Sequence, residues 1–261
     1  MPNRVFKPET FFVSWQDPSR NLWYPVARFR KLVGEYEFCY TVGAKQANAD
    51  ADFFPFLAFP EIDEIYYSDS LFPFFKNRIM NPSRPDYGTF LDWLGLDPNE
   101  QDPLVLLAAT PAREEMDYVE VFPEPAPTPD RKLGFRFFTR GLRHFDSSIQ
   151  KRVLDLNPGE ELSLMRDLMN PVDPDAFMVR TKESYISVGY LPRHLRDLTN
   201  RLVSDPSGGL RLWIEKVNDE TAPIQFRIQC RIESPWPEEG VFVGEAYDPI
   251  RMADVPSLVA S

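Results

Sequence analysis

Apolar and polar residues alternate with a period of two through much of the chain, and that period predicts strands. In the first half, strands are expected at residues 10–15 (TFFVSW), 23–32 (WYPVARFRKL) and 35–42 (EYEFCYTV). In the last of these, Tyr36, Phe38 and Tyr40 share one face, as in a half-buried strand. The texture then changes. Residues 68–80 (SDSLFPFFKNRIM) open on capping residue types and carry an apolar face at helical spacing. Residues 89–96 (TFLDWLGL) predict a short helix stopped at Gly95. Residues 103–110 (PLVLLAAT) fit a helix or a buried strand, since periodicity does not separate the two. Residues 118–122 (YVEVF) close the half as a strand.

The second half is more regular. Residues 135–143 (FRFFTRGLR), 161–166 (ELSLMR), 176–180 (AFMVR) and 185–191 (YISVGYL) predict short strands, and 209–217 (GLRLWIEKV) and 224–232 (IQFRIQCRI) longer ones. One amphipathic helix is expected at 193–203 after Pro192, with Leu195, Leu198 and Leu202 along one face. The fold class is therefore mainly β with short helices, an α+β chain whose second half is a small β-barrel or a strongly curved sheet.

Composition supports this reading. The chain is 43% hydrophobic and 14% aromatic, enough to build a core. Proline is abundant (26) and glycine is not (12), which favours short strands and stiff turns over long helices. Four prolines fall within residues 123–130, where neither a helix nor a central strand can form, so an extended linker is expected at 123–132. Two domains follow: 1–122, a curved sheet with two or three small helices, and 133–232. An acidic arm at 233–261 completes the chain. No apolar run reaches membrane-spanning length, so no membrane is expected. The first residues lack the pattern of a secretory signal. Cys39 and Cys230 lie too far apart to suggest a disulfide framework, and with His144 and His194 they make a poor metal set. A reduced, cytoplasmic protein without cofactors is expected.

Charge adds a second boundary. The net charge is −11, but residues 1–130 balance at −10, residues 131–232 at +4 and residues 233–261 at −5. The sign changes where the prolines cluster. A polyanion would meet the middle segment, and the acidic first domain suits a protein partner.

Three blocks carry a resemblance. They are LRHF at 142–145, LMRDLMNPVDPDAFMV at 164–179 and VGYLPRHL at 188–195. In this order and spacing, residues 134–232 resemble the HIRAN domain family. The resemblance implies a small β-barrel that binds single-stranded DNA at its 3′ end. Asp173 is then the carboxylate that accepts the terminal sugar hydroxyl. Read from the residues alone, it is equally a turn carboxylate within the rigid NPVDPD segment. His144, Phe145 and Tyr190 offer flat faces on which unpaired bases could stack, or else serve as core and rim aromatics. Arg143, Arg166 and Arg193 could neutralise phosphates, aided by the amides at the start of the 193–203 helix. Val172 and His144 stand where the family has stacking aromatics, which weakens the expected grip on bases.

A fainter resemblance joins residues 70–80, 87–96 and 103–108 to the N-terminal subdomain of HipA-type toxin kinases. It implies a protein-contact module within 1–122, and with it an antitoxin-like or adaptor role toward a kinase or other protein. Enzymatic signatures are missing. There is no phosphate-binding glycine loop, kinase catalytic loop or nucleophile elbow. Glu215-Lys216 and Asp173–Asp175 resemble fragments of a nuclease site without its acid-x-Lys spacing. The pairs Glu114-Glu115, Glu160-Glu161 and Glu238-Glu239 are adjacent, so their side chains diverge and read as solvated surface. Asp146 with Ser147 and Ser148 reads as a helix cap, and Cys39 as core. The sequence thus points to a non-enzymatic nucleic-acid-binding subunit of a larger bacterial system.

Overall fold

The computed structural model describes residues 8–110, 112–113, 118–204 and 209–251. The chain runs through β1 (Thr10–Gln16), β2 (Trp23–Lys31), β3 (Tyr36–Tyr40), α1 (Val42–Ala51), β4 (Ile65–Ser68), α2 (Pro73–Lys76), α3 (Tyr87–Leu94), α4 (Pro103–Ala109), β5 (Ala112–Arg113) and β6 (Val119–Pro123). It continues through β7 (Lys132–Phe138), α5 (Ser147–Arg152), β8 (Leu162–Arg166), β9 (Phe177–Thr181), β10 (Ser187–Tyr190), α6 (Arg196–Ser204), β11 (Arg211–Val217) and β12 (Ile228–Pro235). The fold is mainly β with short helices, as the alternation predicted. It divides into two compact units, and these interleave along the chain. One comprises residues 9–78, 112–124 and 242–251; the other comprises residues 79–110, 125–204 and 209–241.

The first unit is a six-stranded antiparallel sheet in the order β4-β3-β2-β1-β6-β5. Pro25 interrupts β2, and the register with β1 shifts between Val13 and Ser14, where a bulge absorbs the missing amide donor. Aromatic rings fill one face. Phe38 stacks on Phe59 with centroids 3.7 Å apart, and Phe29 on Phe75 at 4.3 Å. Strand β3 is buried on both faces rather than half-buried. Its polar face is closed by Glu37, 2% exposed, which binds Arg30 at 2.7 Å and Arg28 at 3.7 Å. The helix expected at 68–80 contracts to one turn, α2, because residues 65–68 instead pair with β3 as β4. Helix α1 was not expected; its buried positions Gly43, Ala44 and Ala47 are small and draw no apolar stripe. A side chain at Gly43 would overlap the Pro25 carbonyl oxygen, so small size here is a packing requirement. Residues 242–251 of the acidic arm add to this unit: Phe242 and Tyr247 meet Phe12 edge-on, and the Ile250 amide donates to the Tyr40 carbonyl.

The second unit holds two open three-stranded antiparallel sheets, β10-β9-β8 and β11-β12-β7. The expected barrel is not a continuous ladder. Two isolated bridges, Arg140↔Tyr190 and Glu161↔Trp213, join β7 to β10 and β8 to β11, so the six strands follow one another in a ring stitched at two seams. Helices α3 and α4 pack here, although residues 1–122 were expected to form a domain of their own. Tyr87, Phe90, Leu91, Leu94 and Leu106 share one core cluster with Phe138 and Phe226. The Gln229 amide reaches the Leu94 carbonyl at 3.0 Å and Asn218 the Trp93 carbonyl at 2.9 Å. The three stretches that resemble the HipA-type subdomain are thereby split between the units. Gly95 ends α3 in the left-handed region (φ 66°), as expected for a glycine stop. Residues 103–110 resolve as helix, capped by the Asp102 carboxylate, which accepts from the Leu104 amide at 2.9 Å. Both cysteines are free and buried, and burial raises the pKa of each thiol.

Candidate nucleic-acid interface

The seam between β7 and β10 positions the three sequence blocks. At its centre is Gly189, with φ 125°, a value L side chains rarely adopt. Without a side chain, it lets the backbone of β10 lie against Thr139 and the Arg140 carbonyl. Arg140 and Tyr190 then exchange two backbone hydrogen bonds of 2.8 Å, and the Thr139 hydroxyl donates to the Val188 carbonyl at 2.7 Å. Immediately beyond, Gly141 (φ 71°) turns the chain into a 3-10 turn at Leu142–His144. The strand expected through 143 therefore ends at Phe138. The turn delivers Phe145 onto Tyr190, with ring centroids 5.6 Å apart and planes 26° from parallel. The Gln150 amide holds the Phe145 carbonyl at 2.8 Å. Asp146 caps α5 with its backbone alone, its side chain making no cap bond.

Tyr190 links this ring pair to the β8–β9 loop. Its hydroxyl donates to Asp167 Oδ2 at 2.7 Å. Burial, and then the Asp167 carboxylate, push the phenol up to about 12. The unfolded phenol titrates near 10, so between pH 10 and 12 the unfolded chain loses this proton first and stability falls as pH rises. A denaturation midpoint followed across that window is expected to drop, and Tyr190→Phe is expected to flatten the drop.

The loop itself is built by polar side chains. Asn170 Oδ1 accepts the amides of Val172 and Asp173, each at 3.0 Å, and Asp173 Oδ1 accepts the Asp175 amide at 3.1 Å. Asp173 is 8% exposed. Its Oδ2 lies 2.9 Å from Arg193 Nε and its Oδ1 3.6 Å from Arg196 Nη1. Arg193 also donates to the Val172 carbonyl at 3.2 Å. The helix expected from 193 begins instead as a 3-10 turn at Arg193–Leu195 and becomes regular at Arg196, which sets both guanidinium groups toward the loop. Arg166 reaches Asn200 at 2.6 Å and Asp175 at 3.8 Å. Asp173 is thus a turn carboxylate, and it also orders two arginines.

All eight residues singled out from sequence lie on these three adjoining segments. Phe145 and Tyr190 form the ring pair. Arg143 and His144 are exposed beside it and bond each other, Nε to Nε2, at 3.2 Å. Val172 projects from the loop at 60% exposure and stacks on no ring among the described residues. Asp167, Asn170 and Arg196 were missed. Asp167 meets Tyr190 across 23 positions, a pairing that no local spacing announces. An open cleft of about 510 Å3 lies at the opposite end of the strands, lined by Glu161, Lys182, Arg211, Trp213 and Glu233. It contains none of the eight. Among the described residues, no group of acidic, histidine or cysteine side chains could hold a metal, and no helix is long and apolar enough to cross a membrane. Of the acidic pairs set aside, Glu114-Glu115 lies outside the described residues, whereas Glu160 is half-buried and Glu161 exposed.

Residues 133–236 match the family model of the HIRAN domain, which confirms the resemblance read from the three blocks over nearly the same stretch. The crystal structure of the HIRAN domain of human HLTF is similar at 19% identity, covering 39% of this chain and 74% of that one, with a TM-score of 0.30. A crystal structure of a protein from Lactobacillus plantarum is similar at 17% identity over 40% of this chain and 98% of that one, with a TM-score of 0.28. No curated protein matches the chain.

Proposed function

We propose that the HIRAN segment, residues 133–236, binds single-stranded DNA at a 3′ end, and that the chain acts by binding rather than by catalysis. The DNA-binding character of the family supports the first part. The observation that carries it is the meeting of a stacked ring pair, Phe145 and Tyr190, with arginines held around one loop carboxylate. Rings take unpaired bases, at about 1–3 kcal/mol per base. Arg143 and the ordered Arg193 and Arg196 take phosphates. A carboxylate beside phosphates repels them, and its favourable partner is a donor, which a terminal sugar offers as its 3′ hydroxyl. The absence of catalytic motifs in the sequence fits a binding role. On this reading the chain acts as a subunit of a larger bacterial assembly, in which the acidic first half supplies the protein contact.

The test is fluorescence anisotropy at low salt with oligonucleotides that end in a 3′ hydroxyl or a 3′ phosphate. The hydroxyl end is expected to bind about tenfold tighter, a difference of roughly 1.4 kcal/mol. Affinity should fall with salt at a slope of about −0.7 per phosphate engaged. Equal binding of the two ends, or none, would overturn the proposal.

A further inference from the structure

The strand face that carries Tyr190 continues away from the ring pair. In register, Tyr190 lies opposite Met178, and Met178 opposite Met165; two residues along β8 and β9, and three along β10 where a register shift between Ser187 and Gly189 takes up the extra residue, Ser187 lies opposite Arg180, and Arg180 opposite Ser163. Side chains two positions apart share a face, so one surface runs from the Tyr190 row to the Arg180 row. It ends at the β9–β10 turn. There the Thr181 hydroxyl is engaged with Ser184 at 2.7 Å and accepts the Ile186 amide at 2.8 Å, which fixes the turn without using Tyr185.

Tyr185 is anomalous on two counts. It holds a left-handed backbone, φ 55°, which is uncommon for a bulky side chain, and its ring is 66% exposed. The turn therefore keeps a large apolar ring in solvent at a conformational cost. Arg180 sits over that ring, its guanidinium carbon 5.2 Å from the centroid. Arg180 Nε is buried and finds no hydrogen-bond acceptor among the described residues. Arg180 as a whole is half-buried, so its charge remains available to a phosphate. An exposed ring with a guanidinium against it, continuous with a ring pair on the same sheet, is a second place for one nucleotide: a base on Tyr185 and a phosphate oxygen for Arg180.

We infer that Tyr185 and Arg180 form a second nucleotide position, and that a single strand whose end is held at Phe145 and Tyr190 runs down the outer face of β8-β9-β10 to reach it. This rests on the binding reading above. The five steps from Tyr185 to Tyr190 span at most about 16 Å at roughly 3.3 Å per residue, a distance bridged by a few nucleotides. Short oligonucleotides would then fill the first position alone, and longer ones both.

The experiment measures affinity against length for the full chain, with oligothymidylates of two to ten nucleotides bearing a 3′ hydroxyl. Wild-type affinity is expected to rise as the strand becomes long enough to reach Tyr185. Tyr185→Gly accepts the left-handed backbone, so it should melt no lower than wild type, keep its affinity for the dinucleotide and bind the ten-nucleotide strand about tenfold more weakly. Arg180→Gln should show the same length-dependent loss. Tyr185→Trp should restore binding, its fluorescence quenched by the ten-nucleotide strand and unchanged by the dinucleotide. Equal affinity of Tyr185→Gly and wild type for the long strand would overturn the inference. So would an equal loss at both lengths. If the dinucleotide binds but length adds nothing, the end site stands and this second position falls. If no length binds, both readings fall.

Discussion

Gly189→Ala is expected to lower the stability of the second unit by about 3–5 kcal/mol, through a strained backbone and a clash that neither strand can relieve. At φ 125°, an alanine is strained whatever space surrounds it. Space is lacking as well. A Cβ at this position would stand 2.7 Å from the Arg140 carbonyl oxygen and 2.8 Å from Thr139 Cβ and Oγ1. Neither neighbour can yield cheaply. Arg140 is held by its two backbone bonds with Tyr190, and the Thr139 hydroxyl by the Val188 carbonyl. Any shift therefore opens the seam, and with it the geometry that sets Phe145 on Tyr190. Urea denaturation should show a lowered midpoint, and the variant should bind single strands weakly even where it remains folded. Gly88→Ala is the contrast. It lies in α3 with no atom within 4 Å of its prospective Cβ, and it should gain about 0.5–1 kcal/mol. A Gly189→Ala midpoint equal to wild type would remove the seam from the account of the site.

What the sequence disclosed depended on whether a signal was local. The alternation of residues 161–166, 176–180 and 209–217 survives as β8, β9 and β11; β9 buries Phe177, Val179 and Thr181 and β11 buries Leu212 and Ile214, with the side chains between them half-buried. Helix α1 left no trace, because the residues it buries are Gly43, Ala44 and Ala47, chosen for close approach rather than for apolar area. The helical faces of α3 and α4 were legible, but their partners were not. Phe90 and Leu106 are equally suited to any apolar wall, and they join Phe226 more than a hundred positions later. The linear boundary drawn at the proline cluster therefore assigned them to residues 1–122. At the site, the three blocks announced themselves through resemblance. The charges within them did not: Asp173 reaches Arg193 and Arg196 by a fold-back of the chain, and those contacts join two independent candidates and one residue the sequence did not single out into one coupled group.

That coupling makes Asp173 the most informative residue to alter. Asp173→Ala is expected to cost about 2–4 kcal/mol, since it strands two arginine side chains beside a largely buried position and leaves the Asp175 amide without its acceptor. Asp173→Asn should cost less, about 1–2 kcal/mol, because an amide oxygen can still accept from Asp175. Their effects on binding separate the two roles. If the carboxylate only braces the loop, Asp173→Asn binds 3′ hydroxyl and 3′ phosphate ends in the wild-type ratio. If it also receives the terminal hydroxyl, the asparagine variant loses the roughly tenfold preference, since a neutral amide no longer repels the phosphate. It also frees Arg193 and Arg196 for the strand. Overall affinity should then hold or rise, and the salt slope should steepen by less than about 1.4, the full contribution of two phosphates, since Arg193 and Arg196 already meet phosphates while Asp173 partly neutralises them. Lost preference with a steeper slope is the expected result. A preserved preference would leave Asp173 as a turn residue and move end recognition elsewhere on the domain.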